Sequence, residues 1–476
     1  MENSIETSSN VKSITLLKKI SFIVILTIFI SPIITMIAYL FCLDHSVDNH
    51  QLENFTELST LPSFVFSTVI CASGMIGFFV TIVYIILRKK ESSLTIDKKL
   101  LIISLIFFIW IFICDLLASD KYSAFFGDSY RQEGFFTIVS YFGISGCAYI
   151  TLKEDNKFRF FLRLFVIVSS IIAFLVLLQS FGLYIPFFEY GRPHTFFTGP
   201  FMNLNHYGYY LVMGLFAILC SFYLEKNMKI KYTMLALFFL QSYILVINNT
   251  FGCYLAVTIG LIFFIAINWI RNGKTNIFDY SFLAILLIAS LIALASPYPN
   301  IFSDYVKLLK DVGDIASGKD ADGAGTSRWY LWKESVKIIG NHPFFGIGSD
   351  NGTFEMYNNV SDRPHNEFIQ YTLFYGIPGF IMYLSILIIV LFPCLKDIRR
   401  ISQNTYSCFL ISVAYLLSSM FGNTMYYTYP IFLMFLFGCL SQKNNDIYQT
   451  TGSKENEVVI ENDNNDELDN KRNTLS

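Results

Sequence analysis

Charged residues are scarce in this sequence, at 15% of 476 residues, while 54% of the residues are hydrophobic. Soluble domains average about 25% charged residues, and a water-soluble fold of this length could not hide so much apolar surface. The formal net charge of −2 is small, and we expect no nucleic-acid partner. Together with a mean hydropathy of +0.51, this composition excludes an ordinary soluble domain and indicates an integral membrane protein.

The sequence also lacks the usual signs of metal sites and of disulfide frameworks. Its nine cysteines form no C-x-x-C pair and fall mostly in apolar runs. Asp320 and Asp322 form an Asp-x-Asp element, but it lies in a Gly-rich stretch where we expect no metal site. No cluster of carboxylates and histidines has metal-ligand spacing, so we expect neither a metal nor a cofactor.

A cleaved signal peptide is not expected. The first apolar run, residues 20–42, is longer than the roughly 7–15 residues of a signal-peptide core, and no A-x-A site follows it. This run is expected to be a retained first span.

Long apolar runs recur along the chain. A transmembrane helix needs roughly 20 apolar residues, and most of the runs reach or approach that length. They predict an all-α integral membrane fold of about twelve transmembrane helices, with one large extracytoplasmic loop between helices 9 and 10. The runs lie at 20–42, 63–87, 100–118, 135–151, 160–180, 207–224, 232–247, 252–270, 279–296, 368–394, 406–421 and 429–441.

Lysine and arginine are concentrated on alternate connecting segments. The five short outer loops hold only Lys121, Arg131 and Arg192 between them. By the positive-inside rule, both termini are expected in the cytoplasm. This divides the chain into a cytoplasmic N-terminus (1–19), helices 1–9 (20–297), an extracytoplasmic loop (298–366), helices 10–12 (367–441) and a disordered cytoplasmic tail (442–476).

The long loop has internal pattern. Residues 318–325 (GKDADGAG) are expected to be flexible, and residues 326–341 are expected to form a helix. Thr326 or Ser327 is the expected cap of this helix. Its apolar face is predicted to consist of Trp329, Trp332, Val336 and Ile339.

Charge is nearly missing from the interior of the spans, where Asp115 is the only clearly acidic residue. Ion-coupled transporters usually keep ionisable residues at mid-depth. A polysaccharide or lipid exporter is therefore disfavoured, although it remains an alternative. A receptor or assembly protein without catalysis is a further alternative, but it would leave the arginine and histidine elements described next without a purpose.

Polar residues gather in four outer segments, and all six histidines map to the outer side. The segments are 125–136 with Arg131 and Glu133, 191–208 with Arg192, His194, Asn205 and His206, 326–333 with Arg328, and 342–379 with Arg363, His365, Asn366 and Glu367.

The order and spacing of these elements resemble those of the O-antigen ligase and O-antigen polymerase superfamily. The matching elements are an Arg-x3-Trp element, a Pro-x2-Gly-x-Gly element followed by Phe, and a His-Asn pair that opens a helix running to a Gly-x2-Gly. In this sequence they are Arg328 to Trp332, Pro343 to Phe354, and His365-Asn366 to Gly376 and Gly379. The resemblance covers most of the chain, and residues 328–379 are its most specific block.

The resemblance implies a glycosyltransferase of the C-type membrane fold in the bacterial plasma membrane. Such an enzyme takes a glycan from a polyprenyl pyrophosphate on the outer leaflet and passes it to a glycan, lipid or protein acceptor during surface polysaccharide biosynthesis. Polymerase, ligase and protein O-oligosaccharyltransferase share these motifs, so the three remain open.

The residue chemistry fits that reaction. Without a metal, arginines suit a pyrophosphate, because guanidinium pairs with phosphate bidentately; Arg131, Arg192 and Arg328 come from three loops. His365 begins a predicted helix whose positive end favours the neutral imidazole that a general base requires. We therefore predict His365, Arg328 and Arg192 as catalytic residues. Predicted substrate-binding residues are Arg131, Glu133, Asn205, Asn366, Glu367 and Trp332, whereas Arg363 is expected to contact lipid headgroups or solvent.

Overall fold

The computed structural model describes most of the chain. The described residues are 2–47, 55–90, 98–128, 131–183, 197–201, 203–296, 301–319, 322–356, 359–444 and 446. Arg192, His194 and the predicted C-terminal tail at 445 and 447–476 lie outside them. Residues 442–444, which were predicted to belong to a disordered tail, instead continue the last helix, and Gln442 is buried.

The fold is built from helices. In chain order these are α1 Glu2–Val47, α2 Phe55–Lys90, α3 Lys98–Leu117, α4 Lys121–Phe126, α5 Phe135–Thr151, α6 Asp155–Ser180, α7 Leu204–Leu224, α8 Met228–Ile247, α9 Phe251–Asn272, α10 Ile277–Ala293, α11 Ile301–Ala316, α12 Arg328–Asn341, α13 Glu367–Lys396, α14 Gln403–Ser419 and α15, residues 429–444. A short antiparallel hairpin, β1 Phe354–Met356 and β2 Asn359–Ser361, pairs Phe354 with Ser361.

A helix occupies each of the apolar runs predicted from the sequence. Eight helices (α1, α2, α3, α6, α7, α8, α9 and α13) are long and apolar enough to cross a membrane, and α5 and α10 are shorter apolar helices. The predicted all-α membrane fold is confirmed, while the number of twelve crossings stays a prediction. Within the long loop, α11 is a helix that the sequence analysis did not predict.

Helix α7 lies at the centre of the bundle, packed against α6, α8, α9 and α14. Its residues Tyr210 and Met213 are fully buried, as is Gln241 of α8. The Gln241 Nε2 donates to Ser169 Oγ of α6 at 2.8 Å, so the centre also contains a polar contact between helices.

The helices alternate in direction and divide the molecule into two ends. The basic end carries the lysine- and arginine-rich connections. There Arg271 donates to the carbonyl oxygens of Ile398 and Ile401, at 3.1 and 2.7 Å. The other end, here called the loop end, carries residues 118–128, 131–134, 197–201, 203, 248–250, 301–319, 322–356, 359–366 and 420–428. The predicted site residues within the described ranges lie at or next to the loop end.

Helix α13 is kinked at Gly376, which has φ +68°. This left-handed conformation favours glycine. A Cβ at this position would overlap the carbonyl oxygen of Phe344, so the close approach of that loop also requires glycine. Pro378, two residues later, has no N–H to donate. The kink therefore leaves carbonyl groups of the preceding turn in need of other donors.

Backbone N–H groups of the loop and one helix side chain supply those donors. The N–H groups of Ile347 and Gly348 donate to the carbonyl oxygens of residues 373 and 374 at 3.0 and 2.9 Å. The indole of Trp110 donates to the Tyr375 carbonyl at 2.9 Å. The Pro-x2-Gly-x-Gly element thus docks directly onto the kinked helix that begins beside His365.

Helix α12 forms where the sequence predicted it, but its cap and its buried face differ from the prediction. Ser327 precedes the helix with φ +66°, and its side chain makes no cap hydrogen bond. Val336 is 62% exposed, whereas Leu331 and Ser335 are buried. The helix packs on the protein through Leu331 and Ser335, one turn apart, while Trp329, Trp332 and Ile339 are half-buried. The predicted cap was therefore wrong, and the predicted face was wrong in including Val336.

Candidate functional site

Backbone strain marks the loop end. Six non-glycine residues in the described ranges have positive φ, and all of them lie there: Gln132, Asn249, Thr326, Ser327, Asp350 and His365. Such conformations cost about 1–3 kcal/mol each and cluster at functional sites. Four of the six belong to the predicted site: Gln132 is next to Arg131, Thr326 and Ser327 lie within two residues of Arg328, and the fourth is His365 itself.

Arg363 is fully buried, with 0% exposure. Its guanidinium donates to Glu133 Oε2 at 2.5 Å, to the carbonyl oxygen of Thr424 at 2.7 Å, and to Asp350 Oδ1. A buried charge is tolerated only when it is paired and hydrogen-bonded. The expectation that Arg363 contacts lipid or solvent was wrong, because two carboxylates hold it inside the protein.

Glu133 is a hub of this network rather than an exposed group. One carboxylate oxygen accepts from the Tyr141 hydroxyl, and the other accepts from Arg363 and from Thr424 Oγ1 at 3.3 Å. Its backbone N–H donates to Asp350 Oδ2 at 2.9 Å. Its predicted role in substrate binding stays a prediction, and its visible contacts all hold the loop segments together.

Arg131 forms a two-point pair with Asp362. The distances are 2.5 Å from Nε to Oδ2 and 2.9 Å from Nη2 to Oδ1. Burial alone would raise the pKa of Asp362, but the Arg131 and Arg363 charges outweigh it and lower that pKa to about 2. One edge of the Arg131 fork is therefore engaged by an ionised carboxylate.

Arg328 differs from both of these arginines. Its Nη1 donates to Thr326 Oγ1 at 3.2 Å and to the Gly325 carbonyl at 3.4 Å. No described carboxylate lies within ion-pair distance of it, and its buried Nε has no hydrogen-bond partner among the described residues. Arg328 thus brings a positive charge that the described part of the site does not neutralise.

His365 lies beside that charge. Burial first, and then the positive charges of Arg328 and Arg131, lower the pKa of His365 to about 3. The imidazole is therefore neutral at neutral pH, and the causes are burial and the neighbouring arginines rather than the helix end on which the prediction relied. The His365 Nδ1 lies 3.2 Å from Nδ2 of Asn423.

Trp332 connects the arginine and histidine elements. Its indole Nε1 donates to the carbonyl oxygen of Pro364, the residue before His365, at 2.9 Å. Trp332 lies one helical turn after Arg328, so both residues of the Arg-x3-Trp element face the histidine loop. Its predicted substrate contact stays a prediction.

Asn366 and Glu367 are used within the fold. Asn366 caps α13 by accepting from the Ile369 N–H at 3.1 Å, and it donates to the Met420 carbonyl at 3.0 Å. Glu367 is fully buried and accepts from the hydroxyls of Tyr383 and Tyr415. These contacts position the start of α13, and the predicted substrate-binding roles remain untested.

Asn203 and Asn205, an Asn-x-Asn element, lie at the start of α7. The side chain of Asn203 caps the helix by accepting from the Asn205 N–H at 2.8 Å, and the Asn205 side chain is half-buried. His206, which received little weight from the sequence, is 2% exposed, with its ring against Tyr209 and Tyr427. This histidine joins the periphery of the same site.

Sequence reasoning missed several residues of the site. Asp350, Asp362, Asn423 and Thr424 complete the network around the predicted arginines and His365. Asp350 lies two residues after the Gly-x-Gly turn, which is a usable signal. Asn423 lies in a polar break between two apolar helices, and nothing local to it indicates a histidine partner. In the described ranges, no group of three His, Cys, Asp or Glu residues could hold a metal ion.

Comparison with known proteins identifies one region of the chain. Residues 236–384 match the family model described as O-antigen ligase, a family that acts in surface polysaccharide biosynthesis. The match runs from α8 into α13 and includes Arg328, Trp332 and His365. The resemblance predicted from the motifs is confirmed. No curated protein matches the chain.

Proposed function

We propose that this protein transfers or polymerises a glycan carried on a polyprenyl pyrophosphate, at the outer face of the bacterial plasma membrane. One observation supports the proposal above the others. An arginine without a described carboxylate partner, Arg328, is brought beside a buried neutral histidine, His365, by the Trp332–Pro364 hydrogen bond. The O-antigen ligase match covers these residues.

The donor's pyrophosphate requires positive charge, because it keeps its negative charges as it leaves. Arg328 is the best candidate in the described part of the site, since Arg131 and Arg363 are already paired with carboxylates. A guanidinium suits this task because it offers two parallel N–H donors to phosphate oxygens. Arg192, which lies outside the described residues, is proposed as the second member of this clamp.

His365 is proposed as the general base. The acceptor hydroxyl loses its proton to His365 Nε2 as its oxygen attacks the anomeric carbon. The new carbon–oxygen bond forms as the bond to the pyrophosphate oxygen breaks, and the electron pair leaves with polyprenyl pyrophosphate. Attack opposite the leaving group inverts the anomeric configuration. A neutral histidine is required for this step, and the lowered pKa of His365 provides it.

The lipid chain of the donor needs an apolar environment. Two small cavities, of about 20 and 50 Å³, share Ile138, Tyr141 and Tyr371 as lining residues, so they adjoin each other. Glu133 lines the first cavity at the loop end, and the second is lined mostly by apolar side chains of α3, α5, α13 and α15. Cavities of this size hold a few water molecules at most, so we propose that the isoprenoid chain lies outside them, against apolar helix surfaces.

The test compares Arg328→Lys with Arg163→Lys, a control at an exposed arginine of the basic end. Each variant replaces the parent gene, and lipid-linked glycans and surface polysaccharide are extracted and sized. We expect Arg328→Lys to accumulate lipid-linked units and lose polymer or ligated product, while Arg163→Lys behaves like the parent. Normal product from an Arg328→Ala variant that accumulates in the membrane would refute the pyrophosphate clamp.

A further inference from the structure

Asn423 contacts the imidazole of His365, and this contact bears on which ring nitrogen can accept a proton. It sits between α14 and α15, is 3% exposed, and places its amide 3.2 Å from His365 Nδ1. The other amide atom, Oδ1, is buried and has no hydrogen-bond partner among the described residues.

The orientation of this amide decides what the imidazole can do. If Nδ2 donates to Nδ1, the single proton of the neutral ring must sit on Nε2, which then cannot accept a proton. If the amide is turned over, Oδ1 accepts from Nδ1–H and Nε2 carries the free lone pair. Both orientations leave one amide atom of Asn423 without a described partner, and heavy-atom positions alone do not separate them.

The electrostatics of the site favour the second orientation. The charged and titratable groups acting on the ring are Arg328, Arg131, Arg363, Asp362 and His206. Three of them are arginines, which oppose the imidazolium formed when the base accepts a proton. A carbonyl oxygen on Nδ1–H stabilises that cation, whereas an amide N–H would add to the opposition.

We propose that Asn423 is a positioning residue that accepts the Nδ1–H of His365 and thereby leaves Nε2 as the proton acceptor. This inference rests on the proposed function, in which His365 is the general base.

Two hydrogen bonds hold the backbone on either side of Asn423. Asn366 donates to the Met420 carbonyl at 3.0 Å, and Arg363 donates to the Thr424 carbonyl at 2.7 Å. Both donors belong to the segment that carries His365. The two hydrogen bonds bracket Asn423 in sequence, so its side chain and the imidazole belong to one rigid unit.

The first test uses Asn423→Asp and Asn423→Leu, with Asn404→Leu as a control at a buried asparagine of the basic end. Aspartate can only accept, so Asn423→Asp should keep turnover at neutral pH. Its negative charge should raise the pKa of His365 and move the acidic limb of the pH profile upward. Asn423→Leu should lower kcat by about 10- to 100-fold with little change in KM, because the tautomer is no longer held. A folded but inactive Asn423→Asp, or a fully active Asn423→Leu, would overturn the inference.

The second test reads the tautomer without reference to activity. Nitrogen-15 NMR of histidine-labelled protein in lipid nanodiscs distinguishes protonated Nδ1 from protonated Nε2, and the signal of His365 is assigned by its loss in His365→Gln. We expect protonated Nδ1 in the parent and a shift toward protonated Nε2 in Asn423→Leu. Protonated Nε2 in the parent contradicts the role of Asn423, whatever the activity. Full activity of His365→Gln would instead remove the general base and leave the tautomer result standing.

Discussion

The indole nitrogen of Trp332 donates to the carbonyl oxygen of Pro364 across 2.9 Å, and this bond ties the arginine helix to the histidine loop. Trp332 follows Arg328 by one helical turn, and Pro364 immediately precedes His365. The side chains proposed to hold the leaving group and to activate the acceptor are therefore positioned by one contact. This gives a physical reason for the spacing of the Arg-x3-Trp element.

Replacing Trp332 with Phe should separate the hydrogen bond from the packing. The ring keeps most of its contacts, while the Pro364 carbonyl loses a donor, which is worth about 0.5–1.5 kcal/mol. We expect kcat to fall by about 3- to 10-fold with nearly unchanged abundance. The measurement is the initial rate of polyprenyl pyrophosphate release. Trp269→Phe, at an exposed tryptophan of the basic end, is the control, and equal rates for the two variants would argue against the coupling.

The pH dependence of the reaction should follow the state of His365. A general base works when unprotonated, so activity is present above its pKa and is lost as the pH falls through it. Because the pKa of His365 in the free protein is about 3, kcat/KM should stay level from pH 8 down to about pH 5. Rates of the reconstituted protein in constant-ionic-strength buffers provide the check. An acidic limb near the ordinary histidine pKa of about 6.5 would show that the ring is more hydrated or less crowded by arginines than this structure indicates.

The kink of α13 offers a test of the fold. Gly376→Ala adds a Cβ that meets the Phe344 carbonyl, whereas Gly273→Ala has a similar positive φ and nothing within 4 Å of the added carbon. The ψ of −179° at Gly376 is confined almost entirely to glycine, whereas the ψ of −2° at Gly273 is left-handed helical and less costly for alanine. Gly376→Ala therefore bears the larger backbone strain and also displaces the docked loop. We expect a clearly larger loss of thermal stability for Gly376→Ala, read by fluorescence-detected size-exclusion chromatography after heating. Equal losses would mean that the loop is not docked as described.

Membrane orientation is the next prediction, and it rests on the distribution of lysine and arginine. A reporter inserted at Gly323, where the chain has open space around it, should be exported, and a reporter fused after Ser476, behind the last helix, should stay in the cytoplasm. Paired alkaline phosphatase and green fluorescent protein fusions give opposite signals at the two positions. Cytoplasmic activity at residue 323 would place the site on the wrong face for a lipid-linked glycan on the outer leaflet.

The long apolar helices were predictable because each depends on a local property, the length of an apolar run. Helix α12 was also predictable from a local pattern, whereas α11 was missed. The partners of Arg363 were not predictable, since Glu133 lies 230 residues away and Asp350 lies 13 residues away.

The buried face of α12 and the contact between His365 and Asn423 were missed for a similar reason. Both depend on how distant helices pack, and no single segment carries that information. The motif-bearing residues Arg328 and His365 could be named from the sequence. Which arginines are already neutralised by carboxylates became visible only in the folded chain.

The most direct test of the account is the turnover of His365→Gln in proteoliposomes supplied with a polyprenyl-pyrophosphate-linked glycan. Glutamine keeps hydrogen bonding but cannot take up a proton. General-base assistance typically contributes 10²- to 10⁴-fold, so release of polyprenyl pyrophosphate should fall by about that factor while the donor still binds. His342→Gln, at an exposed histidine that ends α12, should match the parent. Parental turnover by His365→Gln would contradict the account.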